Sequence, residues 1–306
     1  MPDDEEKNFS HLLQYGLIRI ISWVICLIPF RMALAIAKPV GRILFLVSNR
    51  AREMARLNLK HAFPEKNESE IESILKESFV HLAEFGIEWL KMPEMIAHPK
   101  EYLVDEIAGK DQIFAELKKK KGAIVLITHT ANWEVMALIM GGMLQQTSPV
   151  YAVARSFKNK YLYRHAMKLR SGQGLETINK VGGVRETFNQ LRKENAVVCM
   201  LIDQRISEGG VEVDFFGRLA LTSSLPVIAA LRLGTPVFFS FIERRKDLRY
   251  EMRLEGPLIL NRTEDFKSNI LSNTQNFVLR VEEEIKNNPP RWLWMHNRWR
   301  VPHGPK

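Results

Sequence analysis

A histidine and a glutamate five positions apart, His129 and Glu134, are of types that could perform acid–base chemistry together. They bound the run HTANWE, which lies between the apolar stretches GAIVLI and MALIMGG. A carboxylate that hydrogen-bonds one imidazole nitrogen fixes the tautomer and leaves the other nitrogen as a general base. The 8 histidines and 35 acidic residues in 306 positions give about one such pair by chance, so the spacing alone is a weak signal.

The elements around this pair add weight to it. A strand is predicted to end at Thr128, which places His129 at a carboxyl end, where ligands bind in open α/β sheets. Asn132 is suited to cap the next helix. Trp133 and Glu134 then occupy its first turn, where the helix dipole stabilises a carboxylate. The alternative is a histidine bonded to backbone beside a solvated Glu134, and the motif alone does not separate the two interpretations.

Short apolar strands alternate with amphipathic helices after residue 110. This pattern predicts an α/β fold with a mostly parallel sheet flanked by helices. The predicted strands are 122–128, 149–155, 175–180, 195–203, 235–244 and 249–258. The predicted helices are 51–63, 68–91, 111–121, 131–146, 159–173, 182–194, 223–234 and 265–286.

The N-terminal region is predicted to anchor the chain to a membrane. Residues 20–30 carry no charge, but Arg19 interrupts the longer apolar run, so a spanning helix and helices lying in the interface are both compatible with it. The start MPDDEEK is acidic, which argues against a signal peptide. Cations follow the apolar run, which favours a cytoplasmic main domain. We therefore predict an anchoring segment at 1–48 and an α/β domain at 49–306.

Several other chemistries lack their motifs in this sequence. There is no phosphate-binding G-x-x-x-x-G-K-[ST] loop and no G-x-S-x-G nucleophile elbow. Cys26 and Cys199 both lie in apolar runs, which predicts buried thiols and no disulfide framework. No histidine–carboxylate cluster has convincing metal spacing. What remains is a metal-free, cofactor-free base that activates a substrate hydroxyl.

The run HTANWE resembles the H-x-x-N-W-E block of the bacterial lipid A late acyltransferases, the lauroyl and myristoyl transferases, and their close relatives. Further blocks follow in the family's order over nearly the whole chain: VYAVARSFKNKYL, KLRSGQG, VGGVRETFNQLRKENAVVCMLIDQ, VDFFGRLALTSSLP and PPRWLWMHNRWR. The resemblance implies a glycerolipid-acyltransferase-like fold. It also implies transfer of a fatty acyl chain from a thioester to a lipid A precursor, without an acyl-enzyme.

The resemblance also implies roles for individual residues. His129 is expected to be the general base and Glu134 its orienting partner, supported by Asn132 and Trp133. Arg155 is the candidate oxyanion stabiliser, and Arg170, Asp203 and Arg218 are candidate substrate-binding residues. Asp203 could instead pair with Arg170 or Arg205, and Arg218 could be ordinary surface charge. The chain has Lys168 where close relatives carry an arginine, which leaves the role of that position open. The C-terminal tryptophans are expected to seal the fold beneath the site.

The implied partners are acyl carrier protein or a coenzyme A thioester, a phosphorylated glycolipid and membrane lipids, at the cytoplasmic face of the inner membrane. The same chemistry on a lysophospholipid, a mannosylated phosphoinositide or an aminolipid is an open alternative. Net charge +9 also permits a non-catalytic membrane- or nucleic-acid-binding protein. We expect no nucleic acid partner, because the basic residues are spread along the chain without a recognition motif.

Overall fold

The computed structural model describes residues 2–103, 106–155, 157–179, 182–193, 195–206 and 209–299. Of the predicted elements, Lys180, Glu194 and the end of the chain after residue 299 lie outside these ranges. The helices are α1 Pro2–Leu27, α2 Phe30–Val47, α3 Asn49–Ala62, α4 Glu68–Ala97, α5 Pro99–Tyr102, α6 Lys110–Leu117, α7 Trp133–Leu144, α8 Lys160–Ser171, α9 Val184–Lys193, α10 Leu225–Leu233 and α11 Phe266–Asn287. The strands are β1 Ala123–Ile127, β2 Val150–Ala154, β3 Leu175–Asn179, β4 Val197–Leu201, β5 Gly210–Phe215, β6 Arg218–Ser223, β7 Val237–Arg244 and β8 Tyr250–Glu255.

Six strands form one sheet in the order β3-β2-β4-β1-β7-β8. All neighbours are parallel except β7 and β8, so the predicted mostly parallel α/β sheet is confirmed. The five residues of β1 are buried, as expected for a strand covered by helices on both faces. In the register of β1 with β4, Ile127 lies opposite Leu201. The residues that follow these two strands therefore emerge side by side at the carboxyl edge of the sheet.

Two features differ from the expectations. The helix predicted to end near Pro93 continues to Ala97, with Pro93 inside α4. Residues 210–223 form an antiparallel hairpin, β5 and β6, in addition to the six predicted strands. Its turn holds Phe216 and Gly217 at positive φ, and Phe215 and Phe216 from the hairpin pack into the core.

The N-terminal region consists of two helices that pack against the α/β domain. Ala33 and Ala37 of α2 form a small cluster with Ala83 and Ile87 of α4. The backbones of α2 and α4 approach so closely at Gly41 that an added Cβ would lie 2.5 Å from Val80 Cα. Residues Asn8–Leu27 are long and apolar enough to cross a membrane, with mean hydropathy 1.4 and 11% of the segment buried. The domain boundary at residue 48 coincides with the break between α2 and α3, and its independence as a unit stays a prediction.

Candidate active site

His129 lies two residues beyond the end of β1, and Asp203 lies two residues beyond the end of the neighbouring β4. The parallel register brings the two side chains together across 74 positions of sequence. His129 Nδ1 is 2.7 Å from Asp203 Oδ1, and the backbone N–H of His129 donates to Asp203 Oδ2 at 2.6 Å. Both residues are buried, His129 to 6% exposure and Asp203 to 2%.

A third donor completes the surroundings of Asp203. The Trp292 indole N–H donates to Asp203 Oδ2 at 2.7 Å. Burial raises the pKa of Asp203, but the neighbouring His129, its ring and backbone hydrogen bonds and the Trp292 donor outweigh this and bring the pKa below its ordinary value. Asp203 is therefore an ionised acceptor at neutral pH. This assigns the proton to His129 Nδ1 and the free lone pair to Nε2.

Gln204 engages the other ring nitrogen. Its side-chain Nε2 is 2.8 Å from His129 Nε2. An amide nitrogen only donates, which agrees with a lone pair on the imidazole Nε2. The Gln204 amide thus occupies the lone pair of His129 Nε2. A hydroxyl that donated to this nitrogen would need the same position.

Glu134 does not contact the histidine as the sequence analysis expected. Its carboxylate faces Arg170, which lies in the last turn of α8, with Arg170 Nη2 2.6 Å and 2.8 Å from the two carboxylate oxygens. The side chains of Glu134 and Arg170 are 14% and 7% exposed. The prediction of a Glu134–His129 hydrogen bond is therefore wrong, because Asp203 and Gln204 engage the two ring nitrogens of His129. The alternative pairing of Asp203 with Arg170 or Arg205 is also wrong, since Arg170 is held by Glu134 and the Asp203 oxygens bond His129 and Trp292.

The first turn of α7 is fixed by Asn132 and Trp133. Asn132 Oδ1 accepts the Val135 N–H at 3.0 Å, the predicted helix cap, and its Nδ2 donates to Glu88 Oε2 at 2.6 Å. Glu88 also pairs with Arg244, so this buried carboxylate has two partners. The Trp133 ring meets the edge of His129 with centroids 4.8 Å apart and stacks on Phe85. Together these contacts hold Trp133 against the imidazole.

The remaining predicted site residues, Arg155 and Arg218, are exposed cations. Arg155 follows the end of β2 and is exposed, and Arg218 is exposed at the start of β6 beside the hairpin turn. Among the described residues no hydrogen bond joins either side chain to His129. Their roles toward substrate stay predictions. Among the described residues no group of three or more histidine, cysteine or carboxylate side chains is placed to hold a metal ion.

A cleft opens beside the imidazole. It is lined by residues of α4, of the first turn of α7 and of the C-terminal loop: Ser78, His81, Leu82, Phe85, His129, Trp133, Arg291, Trp292, Leu293 and Met295. The lining is mostly apolar, with Arg291 as its cation, and the cleft is narrow, with room for about one water-sized group. The ring Nε2 of His81 is buried without a hydrogen-bond partner, so this cleft offers a second polar atom to a ligand.

Sequence reasoning missed Gln204, His81 and the bond from Trp292 to Asp203. Trp292 was expected only to seal the fold, and it does lie in the core, yet its indole also donates to the aspartate. The usable signal was position: Asp203 ends a predicted buried strand and Gln204 follows it, as His129 follows another. No comparable signal marks His81 within its amphipathic helix.

This geometry places a buried histidine–aspartate pair at the carboxyl edge of an α/β sheet. The chain belongs to the bacterial lipid A biosynthesis acyltransferase family, because the sequence model of that family matches residues 4–301. It is similar to the phosphatidylinositol mannoside acyltransferase of Mycolicibacterium smegmatis, with 24% identity over 197 residues, 63% of this chain and 64% of that protein. It is also similar to the protein of the same name from Mycobacterium tuberculosis, with 25% identity over 196 residues, 63% of this chain and 59% of that one. The similarity thus spans less than two thirds of either relative.

Proposed function

We propose that this protein transfers a fatty acyl chain from a thioester to a hydroxyl of a lipid A precursor. The observation that carries the proposal is the buried His129–Asp203 pair, which leaves imidazole Nε2 as the basic atom next to a cleft. Family membership supports acyl transfer in general, and it supports a lipid A precursor as the acceptor to test first.

In the proposed step His129 Nε2 takes the proton of the acceptor hydroxyl while its oxygen attacks the thioester carbonyl carbon. A C–O bond forms, the tetrahedral intermediate collapses, the C–S bond breaks, and the imidazolium returns the proton to the thiolate. Asp203 accepts the Nδ1–H throughout and stabilises the imidazolium. A positioned general base of this kind contributes roughly 100- to 10,000-fold. The step needs no acyl-enzyme and no cofactor.

Gln204 must move for this step to occur. A neutral imidazole has one ring lone pair, and the Gln204 amide now donates to it at 2.8 Å. The acceptor hydroxyl therefore has to displace the amide. Once displaced, the amide N–H groups remain next to the reacting carbon and are suited to stabilise the oxyanion, alongside the predicted role of Arg155. Arg170 is unsuited to this task, because Glu134 already occupies its guanidinium.

The proposed donor is acyl carrier protein, with a coenzyme A thioester as its alternative. The proposed location is the cytoplasmic face of the inner membrane, where both a soluble donor and a lipid acceptor are available. Arg218, exposed at the hairpin turn, is the candidate contact for an anionic head group.

A second acceptor has an observation in its favour. The two relatives described above carry the name phosphatidylinositol mannoside acyltransferase, and a mannosylated phosphoinositide presents a sugar hydroxyl and a phosphate, as a lipid A precursor does. The same base and the same cleft would serve either lipid. The acceptor therefore has to be decided by assay.

The test supplies one acyl–acyl carrier protein or acyl–coenzyme A with tetraacyl lipid A precursor, mannosylated phosphoinositide or lysophospholipid, and mass spectrometry reads the products. Wild type is compared with His129→Ala and with His98→Ala, an exposed histidine outside the site. We expect product from the lipid A precursor, a loss of at least about 100-fold in His129→Ala, and no loss in His98→Ala. Product from mannosylated phosphoinositide alone would change the acceptor, and lipid binding without product from any acceptor would favour the non-catalytic alternative.

A further inference from the structure

We infer that α1 does not cross the bilayer but lies flat in its interface, and that α1 and α2 together form the surface by which this protein docks on membranes containing anionic lipid. This docking surface consists of the outward side chains Phe9, Leu13, Leu17, Ile20, Trp23 and Leu27 of α1 and Met32, Val40, Ile43, Leu46 and Val47 of α2.

The length of α1 does not decide its orientation. Twenty apolar residues rising about 1.5 Å each span about 30 Å, which is the thickness of a bilayer's hydrocarbon core. What decides it is the face of α1 that is already occupied by the α/β domain.

Contacts with the domain run along almost all of α1. Near its start the Asn159 side chain donates to the His11 carbonyl at 2.9 Å, and Tyr15 stacks on Tyr161 with centroids 6.1 Å apart. In its middle Arg19 lies 3.2 Å from the His165 ring. All three partners lie in α8 or at its N-cap, Asn159.

The end of α1 is held by α4. Ser22 donates to the Leu90 carbonyl at 2.5 Å. Lys91, which is fully buried, donates to the Ile25 and Ile28 carbonyls at 3.2 Å and 2.8 Å, so it caps the helix end from the domain side. The attached stretch from His11 to Ser22 and beyond therefore runs along the domain rather than away from it.

A spanning α1 would pull its partners into hydrocarbon. α8 carries three exposed cations on one stripe, Lys160, Arg164 and Lys168, and the described residues place no carboxylate within ion-pair distance of them. Each such cation is costly in the bilayer centre, even on insertion-based scales. With α1 flat, the same cations remain in water or at the head groups.

From Phe9 to Leu27 the opposite face of α1 is apolar, after a charged start, PDDEEK. Phe9, Leu13, Ile20, Trp23 and Leu27 are each more than 60% exposed, and their spacing of three, four and seven residues places them on one side of the helix. Exposed apolar stripes of this size mark an interaction surface rather than ordinary solvent exposure.

The second helix has the same outward character with a basic edge. Met32, Ile43, Leu46 and Val47 are 58–68% exposed, on the side of α2 away from Ala33 and Ala37. Arg31, Lys38 and Arg42 follow one another at spacings of seven and four, so they share a stripe beside the apolar one. None of these three has a carboxylate within 4.0 Å among the described residues. An apolar stripe bordered by unpaired cations is complementary to an anionic membrane surface.

The docking surface lies one helix away from the cleft. Leu82 and Phe85 of α4 line the cleft, while Ala83 and Ile87 of the same helix pack against α2. A helix is about 10–12 Å across, so the interface orientation holds the imidazole close to the head groups of a lipid acceptor.

The topology test uses single cysteines in a Cys26→Ser background, where the remaining Cys199 is buried. Asn8→Cys reports the start of α1 and Lys118→Cys reports the exposed surface of the domain. Both full-length variants are labelled with a membrane-impermeant maleimide in inverted inner-membrane vesicles, before and after detergent. We expect both cysteines to react equally without detergent. An Asn8→Cys that reacts only after detergent, beside a reactive Lys118→Cys, would overturn the inference.

The surface test measures vesicle flotation of purified protein. Leu13→Glu/Ile20→Glu is expected to lower the partition coefficient at least about a hundredfold, because two large apolar side chains leave the membrane. The control, Leu271→Glu/Leu279→Glu, changes two exposed leucines of α11, 47% and 45% exposed, and should stay within about twofold of wild type. Lys38→Gln/Arg42→Gln should lose roughly 20- to 30-fold on phosphatidylglycerol vesicles and little on neutral ones. Equal losses in the α11 control, or unchanged binding in the α1 variant, would refute the docking surface.

Discussion

The loop after β4 and the first turn of α7 each carry a carboxylate, and the two carboxylates have different partners. Asp203, in the loop, has a side chain with no exposure and accepts bonds from the His129 ring, the His129 backbone and Trp292. Glu134, in the helix turn, is 14% exposed and holds Arg170 of α8. Asp203 fixes the tautomer of His129, and Glu134 joins α7 to α8 through its ion pair with Arg170.

The difference teaches that sheet register outweighs sequence spacing at this site. Glu134 is five positions from His129 and points to a neighbouring helix, whereas Asp203 is 74 positions away and lies alongside it. Two parallel strands in register deliver the residues that follow them to the same place, as Ile127 opposite Leu201 shows. A helix turn, by contrast, directs successive side chains about 100° apart, so proximity along the chain does not ensure contact.

The largest expected effect is on kcat and comes from a change at Asp203, the carboxylate that contacts the His129 ring. We expect Asp203→Asn to lower kcat by on the order of a thousandfold to ten-thousandfold, because an amide no longer fixes the Nδ1–H tautomer or stabilises the imidazolium. Acyl transfer with the accepted substrate, at saturation, measures it. Thermal melting serves as the control for folding. A decrease below about tenfold in a folded Asp203→Asn would show that Glu134 or another group supports the base.

The part of this site that the sequence predicts is the part set by local patterns. His129 at a strand end, the Asn132 cap and Glu134 in the first helical turn all follow from a strand followed by a helix start, and the six predicted strands all occur. Which strands are neighbours does not follow from local pattern. The insertion of β4 between β1 and β2 is a long-range packing result, and it is what places Asp203 and Gln204 at the imidazole.

The hairpin β5–β6 and the passage of α4 through Pro93 show the same limit on a smaller scale. A proline inside a helix predicts an end or a kink. In the structure the helix continues because residues on both sides of it, Met92 and Met95, are buried in the core. Tertiary packing overrides the local preference there.

The second prediction concerns stability and Glu134. We expect Glu134→Ala to lower the free energy of unfolding by about 3 kcal/mol, because it leaves the buried Arg170 without its carboxylate. Most of this loss should be restored in Glu134→Ala/Arg170→Met, which removes the stranded charge. Glu53→Ala, which breaks an exposed pair with Arg56, is the matched control and should cost at most about 1 kcal/mol.

Urea unfolding measures these three variants, and acyl transfer assays run alongside it separate the two roles of a carboxylate. A folded Glu134→Ala/Arg170→Met that retains kcat within about tenfold would support the helix-tying role. A loss as large as that of Asp203→Asn would return Glu134 to the catalytic role that the sequence first suggested.

A smaller effect on kcat is expected at Trp292, whose indole N–H donates to Asp203. Trp292→Phe keeps the ring packing and removes the indole N–H that donates to Asp203. Hydrogen bonds to charged groups are worth about 1.5–3 kcal/mol, so we expect kcat to fall by roughly ten- to a hundredfold if that energy orients the base. Trp294→Phe is the matched control, because its indole donates instead to the Pro289 carbonyl. Equal kcat values for the two variants would reduce Trp292 to a packing residue.

The smallest effect sharpens the other side of the comparison, the first turn of α7. Asn132→Ser retains an oxygen that accepts the Val135 N–H but loses the donor to Glu88, whereas Asn132→Ala loses both. We expect Asn132→Ala to be about 1 kcal/mol less stable than Asn132→Ser, which is the usual contribution of a helix cap. Urea unfolding of the two variants gives the difference directly. Identical stabilities would mean that the cap does not stabilise α7, and that other contacts, such as the Glu134–Arg170 pair, hold its first turn in place.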